Sequence, residues 1–378
     1  MKILVLIHEY PPVGGGGGKV AQDLSFGFAR HGHQLHIITT TIDGVQEDVS
    51  NPSIKIDRVG TMRKSAYKAG FLDMALFNIA SFFRGVRIIK QWKPDLIHAH
   101  FAVPAGAVAM CLSGIFRIPY VLTVHLGDVP GAVPSKTDEW FHWIYPFTHP
   151  IYKNASRVVA VSEFTKQLAL KHYNVPIDVI HNGVDLLNLP KRLQPPSDLD
   201  PVQLIFAGRF TDQKNPEHLI EALSRMKALN WKCNMLGDGP LFEKTKAMIS
   251  SKNMDEKFNL VGWVTPEEVL EAFCDNDLLV LPSSSEGLSV VGVQALSMGL
   301  VMVLSNAGGN PELVWRGENG DLFEVGDIDE LTRLLSLYIS DRNELTHAKT
   351  KSLEYAQFFS LDMIVDKYEQ IFLICTKK

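Results

Sequence analysis

Short β-branched runs alternate with amphipathic segments along the whole chain, and the series stops once at a proline-rich break and then restarts. In the first series the strand-like runs are Ile3–Ile7, Gln34–Thr40, Ile54–Val59, Asp95–Phe101, Tyr120–His125, Arg157–Val161 and Asp178–His181. Helical spacing lies between most of them. The segment 71–92 has apolar residues at Phe71, Ala75, Ile79, Phe82, Val86 and Ile89. Strands that alternate with helices are too far apart for hairpins and pair in parallel, with helices on both faces of the sheet. Residues 186–201 carry four prolines and no periodic pattern, which is linker chemistry. A second series follows, with Gln203–Ala207, Cys233–Leu236, Phe258–Val261, Leu278–Leu281, Val301–Leu304 and Asp321–Glu324. The expectation is two Rossmann-like α/β/α domains, residues 1–190 and 200–360. A last helix at about 361–378 is expected to pack back on the first domain.

The chain has 378 residues, which suits two domains of roughly 150–200 residues each. Its four cysteines, Cys111, Cys233, Cys274 and Cys375, lie far apart with no CxxC spacing, so neither a zinc site nor a disulfide framework is indicated. The apolar start ends at His8 and Glu9 and reads as a first strand rather than a signal peptide. Residues 96–116 carry no formal charge, but His98, His100 and Pro104 split them into strand and helix rather than a membrane span. A cytoplasmic protein is expected. The net charge is −5, yet residues 1–193 hold an excess of cations and the remainder an excess of anions. The cationic half suits an anionic partner such as a membrane surface or lipid phosphate, or is ordinary surface scatter. Nucleic acid is not an expected partner.

Open parallel sheets bind ligands beyond the carboxyl ends of their strands. Unusual residues gather there. Gly14 to Gly18 follow the first strand, where glycine lets backbone amides approach an anion and the next helix offers its positive end. A Walker A loop fails at Val13 and Val20, and GxGxxG fails in every register. A nicotinamide dehydrogenase is the least favoured reading, because Thr39, Thr40 and Thr41 stand where an acidic residue would close the second strand. The tract is therefore a phosphate-approaching loop of another type, or only a flexible one. His125 ends another strand, where it can bond a sugar hydroxyl or handle a proton, or stand idle. Gly208 ends the first strand of the second series. Arg209 and Lys214 then precede a helix, well placed to neutralise a diphosphate leaving group, unless they are solvated surface charges. Glu286, Gly287, Leu288 and Ser289 follow a later strand, with Gln294 on the helix expected to open at Leu288. Asn306 to Glu312 repeat the pattern, with Gly308 and Gly309 at a helix start. Acidic pairs at Asp198/Asp200, Asp275/Asp277 and Asp327/Asp329 lie in the linker, before a strand and at a helix start, so no metal site is expected.

In order and spacing these residues resemble the retaining glycosyltransferases of family 4, which have the GT-B fold. The resemblance covers nearly the whole chain. It is strongest over Phe206–Asn215, Leu236–Pro240, Val261–Trp263 and Pro282–Glu312, with Val159–Glu163 and Ile180–Asp185 in support. It implies two domains facing each other across a cleft, with acceptor on the first and nucleotide-sugar donor on the second. Gly15 and Gly16 would approach the donor phosphates and Arg209 and Lys214 would stabilise the departing diphosphate. His125 would contact the transferred sugar, and Glu286 with the amides after it would hold that sugar. Gly208, Gly287, Leu288, Ser289, Gly308 and Gly309 would complete the donor site. The anomeric configuration would be kept, with no cofactor and no metal. One position departs from the family pattern: Gln294 stands where a second glutamate, expected to hold the ribose, belongs.

Substrate hints are thinner. The 71–92 helix ends with Arg84, Arg87, Lys90 and Lys93, and Arg63, Lys64 and Lys68 precede it. Such a helix can lie on an anionic membrane, or pack with its cations complementing its own C-terminus. The aromatic stretch 140–147 could form an acceptor groove or a lipid contact. These features favour a glycan or lipid-linked acceptor, cell-surface polysaccharide or glycolipid synthesis, and peripheral contact with the inner face of the membrane. A UDP-sugar rather than a GDP-sugar is the expected donor, although no residue singled out above reads the base. A non-catalytic sugar-nucleotide-binding subunit and a sugar-nucleotide epimerase on the same fold are the alternatives.

Overall fold

A computed structural model describes residues 1–42, 51–63, 70–132, 134–190 and 200–377, and of 134–143 the backbone alone. The chain forms two compact units, Met1–Gly183 with Leu361–Lys378, and Val184–Ser360. Lys64 and Lys68, most of the proline-rich break with Asp198, and the side chains of Trp140 to Trp143 lie outside the described residues.

The first unit runs β1 (Lys2–Leu6), α1 (Gly16–Arg30), β2 (Gln34–Thr40), β3 (Ile54–Val59), α2 (Phe71–Trp92), β4 (Leu96–His100), α3 (Ala107–Phe116), β5 (Tyr120–Val124), α4 (Pro134–Asn154), β6 (Arg157–Ala160), α5 (Glu163–Leu170) and β7 (Ile177–Val179). The second runs β8 (Val202–Ala207), α6 (Pro216–Ser224), β9 (Trp231–Leu236), α7 (Phe242–Ser251), β10 (Phe258–Gly262), α8 (Pro266–Cys274), β11 (Leu278–Leu281), α9 (Val290–Ser297), β12 (Val301–Ser305), β13 (Gly320–Phe323), α10 (Ile328–Ser340) and α11 (Arg342–Tyr355). Helix α12 (Leu361–Thr376) returns to the first unit.

The first sheet has the order β3-β2-β1-β4-β5-β6-β7 and the second β10-β9-β8-β11-β12-β13, with parallel pairing throughout. The central strands are mostly apolar because helices cover both their faces, with His98 and His100 in β4 among the polar exceptions. Leu4, Leu6, Ile97, Ala99, Leu122 and Val124 lie in the first core, and Leu204, Phe206, Leu278, Val280, Val301 and Val303 in the second. Each of these Val, Leu, Ile and Phe side chains contributes about 1.5–3 kcal/mol by leaving water. The strand order reverses between β1 and β4 in one sheet and between β8 and β11 in the other. Those reversals open a crevice beyond the strand ends, the usual ligand position in open α/β sheets.

Helix α12 docks on α1 through a gap left by Gly27, where a Cβ would come 2.5 Å from Val365 Cγ2. Phe28 meets Tyr368 edge-on at 6.1 Å, and the Tyr368 hydroxyl lies 3.0 Å from Thr123 Oγ1 at the end of β5. On the surface of the same contact His31 and His33 share Glu369 Oε1, at 3.1 and 2.7 Å.

Three local features differ from the sequence-based expectation. The glycine tract is not a loop: Gly15 is the N-cap of α1 and Gly16 to Gly18 form its first turn. Helix α9 opens at Val290, two residues later than Leu288, because Ser289 is its N-cap and its hydroxyl accepts the Gly292 amide at 3.1 Å. The last strand of the first sheet is Ile177–Val179, ending before Ile180 and His181. Arg84 is half-buried and donates to Asp57 Oδ1 at 2.5 Å, so its charge is paired on β3. Among the described residues no helix is long and apolar enough to cross a membrane.

Candidate active site

In the second unit the loops after β8 and β11 are stitched together. Asn215, the left-handed N-cap of α6 with φ 46, donates its side-chain amide to the Pro282 carbonyl at 3.1 Å. Gln213 donates its side-chain amide to the Ser285 carbonyl at 2.9 Å, and its own carbonyl accepts the Ser284 amide at 2.8 Å. Between these ties Lys214 is half-buried, with its alkyl stem 3.6 Å from where a Gly208 Cβ would sit. Its Nζ donates to Glu286 Oε1. Arg209 is exposed on the same loop.

Glu286 is buried and held at both ends. Its Oε1 also accepts the Ser283 hydroxyl at 2.7 Å. Its carbonyl accepts the Gly309 amide at 2.9 Å from the turn after β12. That turn tolerates only glycine at 308. The residue has φ +62, and a Cβ there would lie 1.8 Å from the Glu286 carbonyl oxygen. A polar chain backs this arrangement: Asn310 donates to the Ser305 carbonyl at 3.2 Å, and the Ser305 hydroxyl donates to the Ser283 carbonyl at 2.5 Å. The buried Asn310 Oδ1 has no partner among the described residues. Gly287 is half-buried, Leu288 is buried, and Gln294 is buried on α9.

The first unit gathers a histidine cluster beyond its own strand reversal. His125 follows β5 and is buried, and burial, with nearby His8, lowers its pKa to about 4. His8 follows β1 and is lowered by burial to about 4. His98 and His100 lie in β4, fully buried, and burial holds His98 at about 3 and His100 well below the usual range. All four imidazoles are therefore neutral near pH 7. Asp128 Oδ2 accepts the His125 backbone amide at 2.9 Å and its Oδ1 accepts the Ala102 amide at 2.8 Å. Burial nonetheless raises that carboxyl to about 7. Gly15 donates its amide to Glu9 Oε2 at 3.3 Å, and Arg63 donates to the other oxygen of Glu9 at 3.2 Å.

Thus Gly208, Lys214, Glu286, Gly308 and Gly309 converge at one switch point, and His125, Gly15 and Gly16 belong to the other unit. Sequence reasoning did not single out Ser283, His8 and Glu9 for this site. The serine run before Glu286 was the available signal for the first. The others become neighbours only when strands distant in the chain pair.

The family profile described as Glycosyltransferase Family 4 matches residues 14–187, and that described as Glycosyl transferases group 1 matches residues 190–354. The N-acetyl-alpha-D-glucosaminyl L-malate synthase of Bacillus anthracis is 25% identical, over 98% of this chain and 97% of its own. The structure is similar to sucrose-phosphate synthase of Thermosynechococcus elongatus, with a TM-score of 0.82 and 18% identity over 98% of each chain. It is also similar to Anabaena HepE in complex with UDP, with a TM-score of 0.76 and 21% identity over 98% of this chain and 99% of that one. With matches across both units, the chain belongs to glycosyltransferase family 4 and has the GT-B fold.

Proposed function

We propose that this chain moves a hexose from a nucleoside diphosphate sugar, UDP-linked rather than GDP-linked, to a glycan or lipid-linked acceptor with retention at the anomeric carbon. The second unit holds the donor and the first the acceptor. The observation that carries the reading is the Lys214–Glu286 pair, set among glycine turns at the strand reversal of the second sheet. An ammonium held in a half-buried site is worth more to a developing phosphate charge than one in water. On donor binding Lys214 exchanges the carboxylate for a diphosphate oxygen, with Arg209 beside it, and Glu286 is released to a sugar hydroxyl. The bond from the anomeric carbon to the diphosphate oxygen breaks, the acceptor oxygen bonds on the same face, and its proton passes to the departing phosphate. His125, neutral at this pH, hydrogen-bonds the sugar rather than acting as an acid. The charge that the reaction needs comes from Arg209 and Lys214, so the scheme calls on no metal.

The relative that makes an N-acetyl-alpha-D-glucosaminyl compound and the neighbour crystallised with UDP support this choice of chemistry. The cationic, apolar face of α2 supports a membrane-borne acceptor, in cell-surface polysaccharide or glycolipid synthesis on the inner leaflet. Thermal shift with UDP, GDP and ADP tests the donor. A ligand at about 100 times its Kd stabilises by about 2.7 kcal/mol. UDP is expected to raise the melting temperature most; no response to any of the three would end the donor reading. UDP-sugar binding without transfer or hydrolysis would favour a non-catalytic subunit, and an isomerised free sugar an epimerase.

A further inference from the structure

One residue of the first unit has a backbone that its side chain should not allow. Phe101, directly after β4, has φ 72 and ψ 133. Positive φ with extended ψ is close to glycine-only territory and costs of order 1–3 kcal/mol for any other residue. Two hydrogen bonds hold it there: its amide donates to the Thr123 carbonyl at 3.0 Å and its carbonyl accepts the Gly106 amide at 3.0 Å. Strain of this kind persists where the surrounding structure has a use for it.

The conformation lays the Phe101 ring flat on the His125 imidazole, with centroids 4.4 Å apart and planes at 29°. His8 closes on the same ring edge-first, at 5.0 Å and 69°. Elsewhere the ring reaches into the first turn of α1, where a Cβ on Gly17 would come 2.5 Å from Phe101 Cζ and 3.1 Å from Cε2. A hydrogen bond of the His125 ring among the described residues is long, with Nε2 3.5 Å from His100 Nδ1. A bond that long restrains a ring poorly. The stack is the contact that sets the imidazole plane, and with it the direction of the ring nitrogens.

We infer that Phe101 is a positioning residue for His125, and that Gly17 is glycine so that the ring can reach the imidazole. The ring makes the first turn of α1 and the imidazole one mechanical unit, so the glycine turn and the histidine hold a fixed relation. This assignment rests on the reading that His125 meets the substrate. Misplacing a group by about 1 Å can cost about 10²-fold in rate.

The test measures UDP release from UDP-glucose and UDP-N-acetylglucosamine, melting temperature and histidine ring NMR on the full chain. Phe101→Leu is expected to lower kcat by about 10- to 100-fold, to leave KM near its wild-type value, and to shift the His125 ring resonances by removing the stacked ring. Phe101→Tyr keeps the stack and should restore turnover. Gly17→Ala should behave like Phe101→Leu although alanine is the better helix former. In a Phe101→Ala background Gly17→Ala should cost nothing more, since no ring remains to be pushed. A purely structural Phe101 would instead lower rate and melting temperature together. Unchanged His125 resonances in Phe101→Leu overturn the assignment. So does a normal kcat in Phe101→Leu when His125→Ala is impaired, a result that leaves the site reading intact. Normal turnover in His125→Ala removes His125 from the chemistry, and Phe101 with it.

Discussion

The Ser283 hydroxyl donates to the same carboxylate oxygen of Glu286 that takes the Lys214 ammonium, at 2.7 Å. One oxygen thus carries both contacts, and the serine remains to hold Glu286 when the lysine turns to a phosphate. Lys214→Ala and Glu286→Ala are expected to lose about 10²–10³ in turnover while staying folded. Ser283→Ala removes a hydrogen bond to a charged group, worth about 1.5–3 kcal/mol. Because Ser283 and Lys214 act through one carboxylate, their double mutant should lose less than the sum. UDP release and melting curves on the four variants check this, and wild-type rates for Lys214→Ala and Glu286→Ala would sink the assignment.

Gln294 is buried on α9, at the position where the family resemblance leads one to expect glutamate. A charge-assisted bond is roughly twice as strong as a neutral one. Gln294→Glu should therefore tighten UDP binding by about 1 kcal/mol, roughly five-fold. Calorimetry reads it directly, and unchanged affinity would mean that position 294 does not meet the ribose.

Gly308→Ala combines a positive φ with a Cβ placed on the Glu286 carbonyl. The loss of stability should exceed the about 1–3 kcal/mol of a strained backbone alone. Denaturant unfolding measures it. Gly326, also at positive φ but with nothing within 4 Å of its Cβ, should cost less when changed to alanine.

His8, His98 and His125 are held by burial at about 4, 3 and 4, and His100 lower than usual, against 6.5 in the unfolded chain. The unfolded state then binds more protons between pH 4 and 6.5, so their stability is full above 6.5 and is lost as pH falls through that window. Asp128, raised to about 7, opposes them, its share being present at low pH and lost as pH rises toward 7. Glu9 lifts and Arg63 lowers His8 within the same cluster. The histidines outnumber the carboxyl, so the melting temperature should climb from pH 4 to 6.5. His98→Gln should flatten the climb; an equally steep profile would place the acid sensitivity elsewhere.

Along the outer face of α2, Leu72, Ile79 and Phe83 are 56%, 58% and 68% exposed, and exposed Arg87 and Lys90 continue the same stripe. Vesicles containing anionic phospholipid should bind the protein more than neutral ones, and high salt should release it. Phe83→Glu should weaken the binding without changing UDP affinity. Equal binding to both vesicle types would remove the membrane from the proposal.

Two parallel sheets and their strand-end loops were legible in the chain because alternation, chain length and proline placement are local properties. Phe71–Trp92 was readable as a helix from its spacing alone, and Asp327 as a helix cap from its position. Residues 208–215 and 282–289 could each be marked as chemistry-bearing for the same reason. What no local pattern carries is which distant residues meet. Lys214 and Glu286 stand 72 positions apart and pair only because β8 and β11 are neighbours at the strand reversal. The glycine tract reads as a loop by propensity, yet Gly16 to Gly18 are helical, and the Phe101 ring at Gly17 and the Glu9 backbone at Gly18 leave those two positions no room for a side chain. The strained backbone of Phe101 and the depressed histidines follow from burial and packing, which exist only once the sheet has closed around them.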